Sequence, residues 1–441
     1  MGFMIPVQGA VAVDFFRYHG FREKHIGILK AIPMFMFALQ FVGALWNNHL
    51  HRRKAAFMAL LISGRLAFLG VLVLPLFVPG RQSAWLSWGM LGVVAVSAGL
   101  RMLGPPLWFP WMSDLIPHQI LGRYWGRRQR WMLLTQVGVR VVLIVFTSVC
   151  EFMQVSPAVV FAVILPVAVA SGVADILLFI RVPEPPHLNA PHRSAWSLLI
   201  EPLRSHQCRR FLLWNCTYMA AVMLAASFIH YYMLEFLGLS VWKVVLVFSV
   251  AGLGMAASAD FWGRLLDRHG HRPVIIICSS LKPVIPLVFM LVTPATAVFV
   301  LPMFILFDSC LNAGNDIAKQ GVMMKLGPRE NRSMFIAAMM SFPALAAGGA
   351  SLLGGAFLDT CREVQFPCCG RTWTAFHLLF LISSVLRMLS AVLARGLHEP
   401  RSSRSGVLLW NILGSGVGRA LAWPLNVFYR GSDEDDTDTP E

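Results

Sequence analysis

The chain has 441 residues, 57% of them hydrophobic and 13% charged, with a formal net charge of +15 and a mean hydropathy of +0.64. Soluble domains carry about 25% charged residues, so the length does not divide into two or three soluble domains. Apolar runs of about 20 residues recur instead, each able to cross a hydrocarbon core of about 30 Å as a helix.

Twelve such runs follow in chain order, and barrel strands of about ten residues with alternating polarity are not seen. The first six centre on 2–18, 26–46, 55–78, 85–110, 132–152 and 159–180. The next six centre on 210–234, 241–261, 274–292, 296–318, 334–357 and 374–394. The expected fold is an all-α polytopic membrane protein. Run 1 is short, since Met1 leads directly into GFMIPVQGAVAVDFF; the expectation is a first helix cut short at Met1. A signal peptide would need a basic start and a cleavage site, and neither stands there. The segment 183–208, opening PEPPHLNAPHRSAW, reads as a linker between a first half, 1–182, and a second, 209–395. The tail 396–441 holds a broken apolar piece expected at a membrane interface, then SDEDDTDTPE, whose six acids predict disorder.

The basic balance is a matter of topology. With both ends on one side, the even connections and the tail hold 24 Lys/Arg, the odd connections 7, and the spans themselves 6. This positive-inside bias puts both termini in the cytoplasm of a multi-pass protein of the cell (inner) membrane. No nucleic acid is needed to account for the charge.

The halves echo each other. After span 2 comes GALWNNHLHRRKAAF from Gly43, and after span 8 comes GRLLDRHGHRPVIII from Gly263. At an offset of 220, Gly43 meets Gly263, Asn47 meets Asp267 and Arg52 meets Arg272. A second echo sets Pro117 over Pro328, after spans 4 and 10. Duplicated halves place a binding site at their interface. In the second copy, Gly263 and Gly270 would allow a tight turn and close helix approach. Asp267 would accept N–H bonds at a neighbouring helix start, and Arg268 and Arg272 would pair with it or with anionic lipid heads. The segment reads as a conformational latch; ordinary topology anchors are the plainer account of its arginines.

The series Gly263-x-Leu265-x-Asp267-Arg268-x-Gly270-His271-Arg272 resembles the loop G-x-L-x-D-R-x-G-R-K/R of major facilitator superfamily transporters. It stands between the second and third helices of a half, as in that family, with His271 where a cation is usual. The first copy departs at Asn47 and Leu50. The resemblance implies two pseudo-symmetric six-helix bundles, with spans 1, 4, 7 and 10 lining a central cavity. It implies a secondary transporter moving a small solute by alternating access, most simply driven by protons. It also implies no enzyme activity and no cofactor, in a chain that works as a monomer.

Those four spans carry polar groups. Span 10 sets Asp308, Asn312, Asn315 and Lys319 on one stripe, with Asp316 beside it, about 16 Å long. Span 4 offers Arg101, Trp108 and Trp111, span 7 Asn215, Tyr218, His230 and Glu235, and span 1 Gln8, Asp14 and Tyr18. Intramembrane charges usually face a partner or a water-filled cavity. Asp308 is expected to take and release the coupling proton, with Asp14 or Asp316 as second choices. Arg101 is its expected switchable partner or the site of an anionic group; the alternative is a fixed Arg101–Asp308 pair that only holds helices. Trp108 and Tyr218 are candidates to contact substrate, although packing is the commoner role. Arg140, Asp175, Lys282 and Arg387 would be snorkelling or paired.

Other chemistries find no motif. There is no G-x-x-x-x-G-K-[ST] loop for ATP and no H-E-x-x-H or G-x-S-x-G. Cys361, Cys368 and Cys369 share one odd connection, where a disulfide from Cys361 to either of the others is expected and a metal site lacks a fourth ligand. The alternative to transport is a transport-inactive sensor or assembly protein of the same fold.

Overall fold

Helix breakers decide how the apolar runs fold. The computed structural model describes residues 3–47, 50, 52–78, 83–115, 121–184, 200, 203–326, 332–368 and 371–397. Within them, eleven helices are long and apolar enough to cross a membrane. The first expected span is not among them. It forms two short pieces, Met4–Gln8 and Ala10–Tyr18, parted where Gly9 turns extended at ψ −164; together they are α1. The others are α2 (Glu23–Trp46), α3 (Arg53–Phe77), α4 (Ala84–Met102, continued as Pro105–Leu115), α5 (Leu121–Phe152) and α6 (Pro157–Arg181). The second half holds α7 (His206–Phe236), α8 (Val241–His269), α9 (His271–Leu291), α10 (Pro294–Leu326), α11 (Arg332–Thr360) and α12 (Ala375–Arg395). An antiparallel hairpin, β1 (Gln365–Cys368) and β2 (Arg371–Thr374), precedes α12, with Gln365 opposite Thr374.

Each half packs its own helices: α3 lies on α4 and α6, and α7 and α10 lie on α11, α12, α8 and α9. The most extensive crossings between halves are α2 with α11 and α5 with α8, and α1 also meets α7 and α8. The first crossing is built from absent side chains. A Cβ on Gly27 would stand 2.8 Å from the Ser351 carbonyl and 2.9 Å from the Cα of Gly355. The Ser351 hydroxyl fills the seam, 3.0 Å from the Gly27 carbonyl and 2.8 Å from Ser227 Oγ of α7. Small residues that let backbones meet drive helix association in lipid.

Breaks recur at matching places. α1 is interrupted at Gly9 and its counterpart α7 at Ser227–Phe228. α3 turns at Phe68–Leu69, and its counterpart α9 at Lys282–Pro283. The last has a clear cause: Pro286 has no N–H to donate to the Lys282 carbonyl, which instead accepts from the Ile285 N–H at 3.2 Å and from Arg387 Nη1 of α12 at 3.3 Å. The Pro283 carbonyl accepts from Ser384 Oγ at 2.8 Å.

The Gly27 crossing makes a direct prediction. Gly27→Ala lowers the thermal unfolding midpoint in detergent, a cost of about 1–3 kcal/mol for overpacking. Gly349→Ala, where a Cβ meets nothing within 4 Å, is neutral or stabilising by up to about 1 kcal/mol. Equal effects from the two would mean that the seam is not close-packed.

Candidate functional site

Buried charge gathers at corresponding places in the two halves, where the third, fourth and sixth helices of each half meet. In the second half, Lys282 of α9 is the centre. Its side chain is 1% exposed, and Nζ donates to Asp308 Oδ1 at 2.8 Å and to Asn312 Oδ1 at 2.6 Å. Asn312 Nδ2 closes the triangle on Asp308 Oδ2 at 2.9 Å. The Lys282 ammonium also lies 5.8 Å from the centre of the Tyr218 ring. Lys319 approaches the same ring at 5.5 Å while pairing with Asp316 at 2.7 Å. Trp214 stacks beneath Tyr218. Arg387 is 3% exposed, and its Nε has no partner among the described residues.

In the first half, Arg65 of α3 meets Asp175 of α6 at 3.5 Å. Arg101 of α4 donates through Nε to the Ser97 carbonyl at 3.2 Å and rests against Met4 Sδ at 2.8 Å. The Phe3 ring lies 5.5 Å from the Arg101 guanidinium and 5.7 Å from that of Arg65. The expected pairing of Arg101 with Asp308 is therefore corrected. Arg101 and Asn312 are counterparts in the repeat, and counterparts occupy matching places in different halves. Arg101 packs on α1 of its own half, and the cation of Asp308 is Lys282.

Of the other expected residues, Tyr218, Asp308, Asn312 and Asp316 fall in or beside the Lys282 cluster. Asn315 is fully buried, and neither carboxamide atom has a partner among the described residues. Trp108 lies apart under the Arg128 guanidinium at 4.9 Å, and Trp111 donates to the Pro183 carbonyl at 3.0 Å; both are packing groups at the end carrying the even connections. Asp14 stands at the opposite end, where the odd connections emerge.

That odd end is closed by contacts between the halves. Arg17, 3.3 Å from Asp14, also pairs with Glu235 of α7. Glu23 of α2 is 3.8 Å from Arg362 before β1 and accepts from the Tyr231 hydroxyl at 3.4 Å. Ser240 Oγ donates to Glu151 at 2.6 Å. Asp14, Arg17, Tyr18, Arg22, Glu235 and Arg362 help line a cavity of about 420 Å3 there. Neither Glu23 nor Lys30 was singled out from sequence. Lys30 lies in span 2, which the repeat logic sets aside, and there a charge within an apolar run was the available signal; Glu23 stands just before that span, in an odd connection.

The expected latch behaves differently in its parts. Gly270 has φ +88, the turn only glycine makes cheaply. Gly263 is no close-approach point, since a Cβ there meets nothing within 4 Å; in the first copy Gly43 is one, 2.7 Å from the Leu103 carbonyl. Asp267 and Arg268 are exposed, and Asp267 holds no helix start among the described residues. Arg272 instead donates to the Arg395 carbonyl at the end of α12, 2.9 Å away. Arg52 leads into α3 and is exposed, and the side chain of Asn47 lies outside the described residues. The expected disulfide does too in part: Cys361 is a free thiol, while the Cys368 side chain and all of Cys369 are outside them.

Comparison with known proteins agrees with this architecture. The model of the Major Facilitator Superfamily matches residues 3–350. No curated protein matches the chain in sequence. Among solved structures, a point mutant of the nucleoside transporter NupG superposes with a TM-score of 0.67 at 13% identity, covering 90% of this chain and 96% of that one. A D-xylose-proton symporter gives 0.63 at 12%, covering 92% and 94%. A bacterial homologue of the iron transporter ferroportin, inward-facing, gives 0.62 at 16%, covering 90% and 94%. With the family model spanning most of the chain and the duplicated bundle built around buried charge, this non-enzymatic multi-pass membrane protein belongs to the major facilitator superfamily of transporters.

Proposed function

We propose that the protein carries a small solute by alternating access, the halves 1–182 and 209–395 rocking about the α2/α11 and α5/α8 crossings, with a proton as the coupling ion. The observation that carries this is the Lys282–Asp308–Asn312 triangle. Asp308 is 25% exposed while its lysine is 1% exposed, so the carboxylate is reachable from water and the ammonium is not. A proton arriving on Asp308 removes the negative charge of the triangle. Lys282 then keeps a carboxamide oxygen and an aromatic face, a poor setting for a buried cation. Relief requires α9 and α10 to shift, and α9 is already jointed at Lys282–Pro283. Asn315 and Asp316 continue the pathway along α10, and Tyr218 is where it meets α7. Asp14 serves the gate at the odd end and not the coupling step.

The positive-inside bias makes the even end cytoplasmic, with both termini there. On that assignment the ion pairs at the odd end are a closed outer gate, and the exposed Asp267 and Arg268 are a disengaged inner latch, as in a protein facing the cytoplasm. Membrane lipids are then the natural partners of the even-end arginines.

Three outcomes are expected. In proteoliposomes, Asp308→Asn abolishes solute accumulation driven by a pH gradient while solute exchange persists; accumulation that survives would sink the coupling role. Lys282→Met and Asp308→Asn each lower the unfolding midpoint more than the two together, because one change strands a charge and both remove the problem; additive losses would show no coupling between them. Joining Arg17→Cys to Glu235→Cys by oxidation arrests transport until reductant is added. Undiminished flux in the oxidised form would mean that this end does not open.

A further inference from the structure

We infer that the transported solute is an organic anion, held in the central cavity by Lys30 with Arg101 as the second cation. The inference rests on the transport function proposed above. Its basis is a shortage of acids. The spans hold six cations, Lys30, Arg65, Arg101, Arg140, Lys282 and Arg387. Among the described residues, only Arg65 and Lys282 have a carboxylate, Asp175 and Asp308.

Lys30 is the cation placed to meet a ligand. It is half-buried and reaches from α2 to α1, and His230 of α7, also half-buried, is within electrostatic reach of it. Both therefore stand where α1 and α2 of one half approach α7 of the other. Among the described residues, Lys30 bonds to the Gln8 carbonyl, 2.6 Å away. That carbonyl is free because Gly9 turns extended and interrupts α1. Gln8 itself is exposed. A lone carbonyl dipole is a weak counterweight for an ammonium out of bulk water. Arg101 stands one helical turn along α1, at Met4, about 6 Å from the Gln8 level. Its other neighbours are the Ser97 carbonyl and the Phe3 ring, so it too lacks an anion among the described residues.

The acids at the odd end do not supply one. Asp14 and Glu235 share Arg17, and Glu23 is set towards Arg362. The charges facing the broken α1 thus sum to a positive field with no fixed counterion among the described residues. Paired broken helices in matching positions mark solute sites in duplicated transporters, and here α1 and α7 are both broken. A carboxylate or phosphate ester supplies the missing charge, leaves with the solute, and would be bound by charge-assisted bonds. A sugar or nucleoside would leave both cations unmatched.

The test is thermal unfolding of the full chain at fixed pH and ionic strength with named probes. These are succinate and glycerol 3-phosphate as anions, uridine and xylose as neutral solutes, and tetraphenylphosphonium as a cation. One of the anions should raise the midpoint, Lys30→Met should weaken its binding by about tenfold or more, and Lys30→Arg should restore most of it. If Lys30→Met does not fold, Arg101→Lys provides the second reading, weakening the anion by loss of fork geometry. Stabilisation by uridine, xylose or the phosphonium but by neither anion overturns the inference and leaves transport standing. Anion binding that survives both Lys30→Met and Arg101→Gln overturns it too, leaving Lys30 a staple for the α1 break. No shift from any probe also overturns it. Failure of the wild-type protein to move any of the same probes in liposomes counts instead against transport.

Discussion

Charge in a medium that cannot solvate it is the constraint on which this molecule is built. An isolated ion in hydrocarbon costs several kcal/mol even after relaxation, yet six cations stand inside the spans. The fold meets that cost in two ways. Arg65 and Lys282 are given a carboxylate from a neighbouring helix of the same half. Lys30 and Arg387 are given backbone carbonyls, and in both cases a breaker provides them. Gly9 frees the carbonyl of Gln8, and Pro286 leaves that of Lys282 with only the shorter-range Ile285 N–H, so that it also takes Arg387. Breaks and buried charges are thus one feature seen twice: a polar backbone group left open inside the membrane needs a donor, and a buried cation needs an acceptor.

The same economy links the helix breaks to motion. An unbroken helix crossing the bilayer moves as a rod, whereas α9 divided at Lys282–Pro283 bends at the residue that holds Asp308. The carbonyls at that joint are held by α12 through Ser384 and Arg387. A change of charge on Asp308 is therefore felt in three helices at once, α9, α10 and α12. Between the halves, the α2/α11 seam joins glycine backbone and a serine hydroxyl around Gly27 to Met34 and Phe35 side chains packed on Gly348. In the proposed cycle this seam is the pivot.

Sequence patterns carried the architecture further than the site. Hydropathy gave eleven of twelve spans because twenty apolar residues in a row have one cheap fold in lipid. The first fell short for a local reason, Gly9. The loop from Gly263 to Arg272 showed the duplication, since an offset of 220 aligned it with Gly43 to Arg52. The offset misled where contact was at stake. It set Arg101 opposite Asn312, but symmetry relates places in different halves, and an ion pair needs neighbours in space. Lys282 and Asp308 lie 26 residues apart on consecutive antiparallel helices. A search for opposite charges on adjoining spans would have joined them. The Arg17–Glu235 bond was beyond such a search, because it joins helices of different halves that are far apart in sequence.

In the proposed cycle, the odd-end contacts also bear on how little would be needed to move the protein between states. The ion pairs there are wet: Arg17 and Glu235 are 27% and 46% exposed, and Arg362 is 50% exposed opposite a nearly buried Glu23. Exposed pairs contribute about 0–1 kcal/mol each, so the Arg17–Glu235 pair adds no more than about 1 kcal/mol to the closure of the odd end. A contribution of that size is offset by a ligand with a differential affinity of about fivefold. Breaking the Lys282–Asp308 pair costs more than breaking the exposed Arg17–Glu235 pair, because it leaves a 1%-exposed ammonium without its counterion. In the proposed cycle, weak polar closure at the rim and strong polar coupling at the core therefore belong together: a charge change at the buried pair would drive the rim, which is too weak to drive the buried pair.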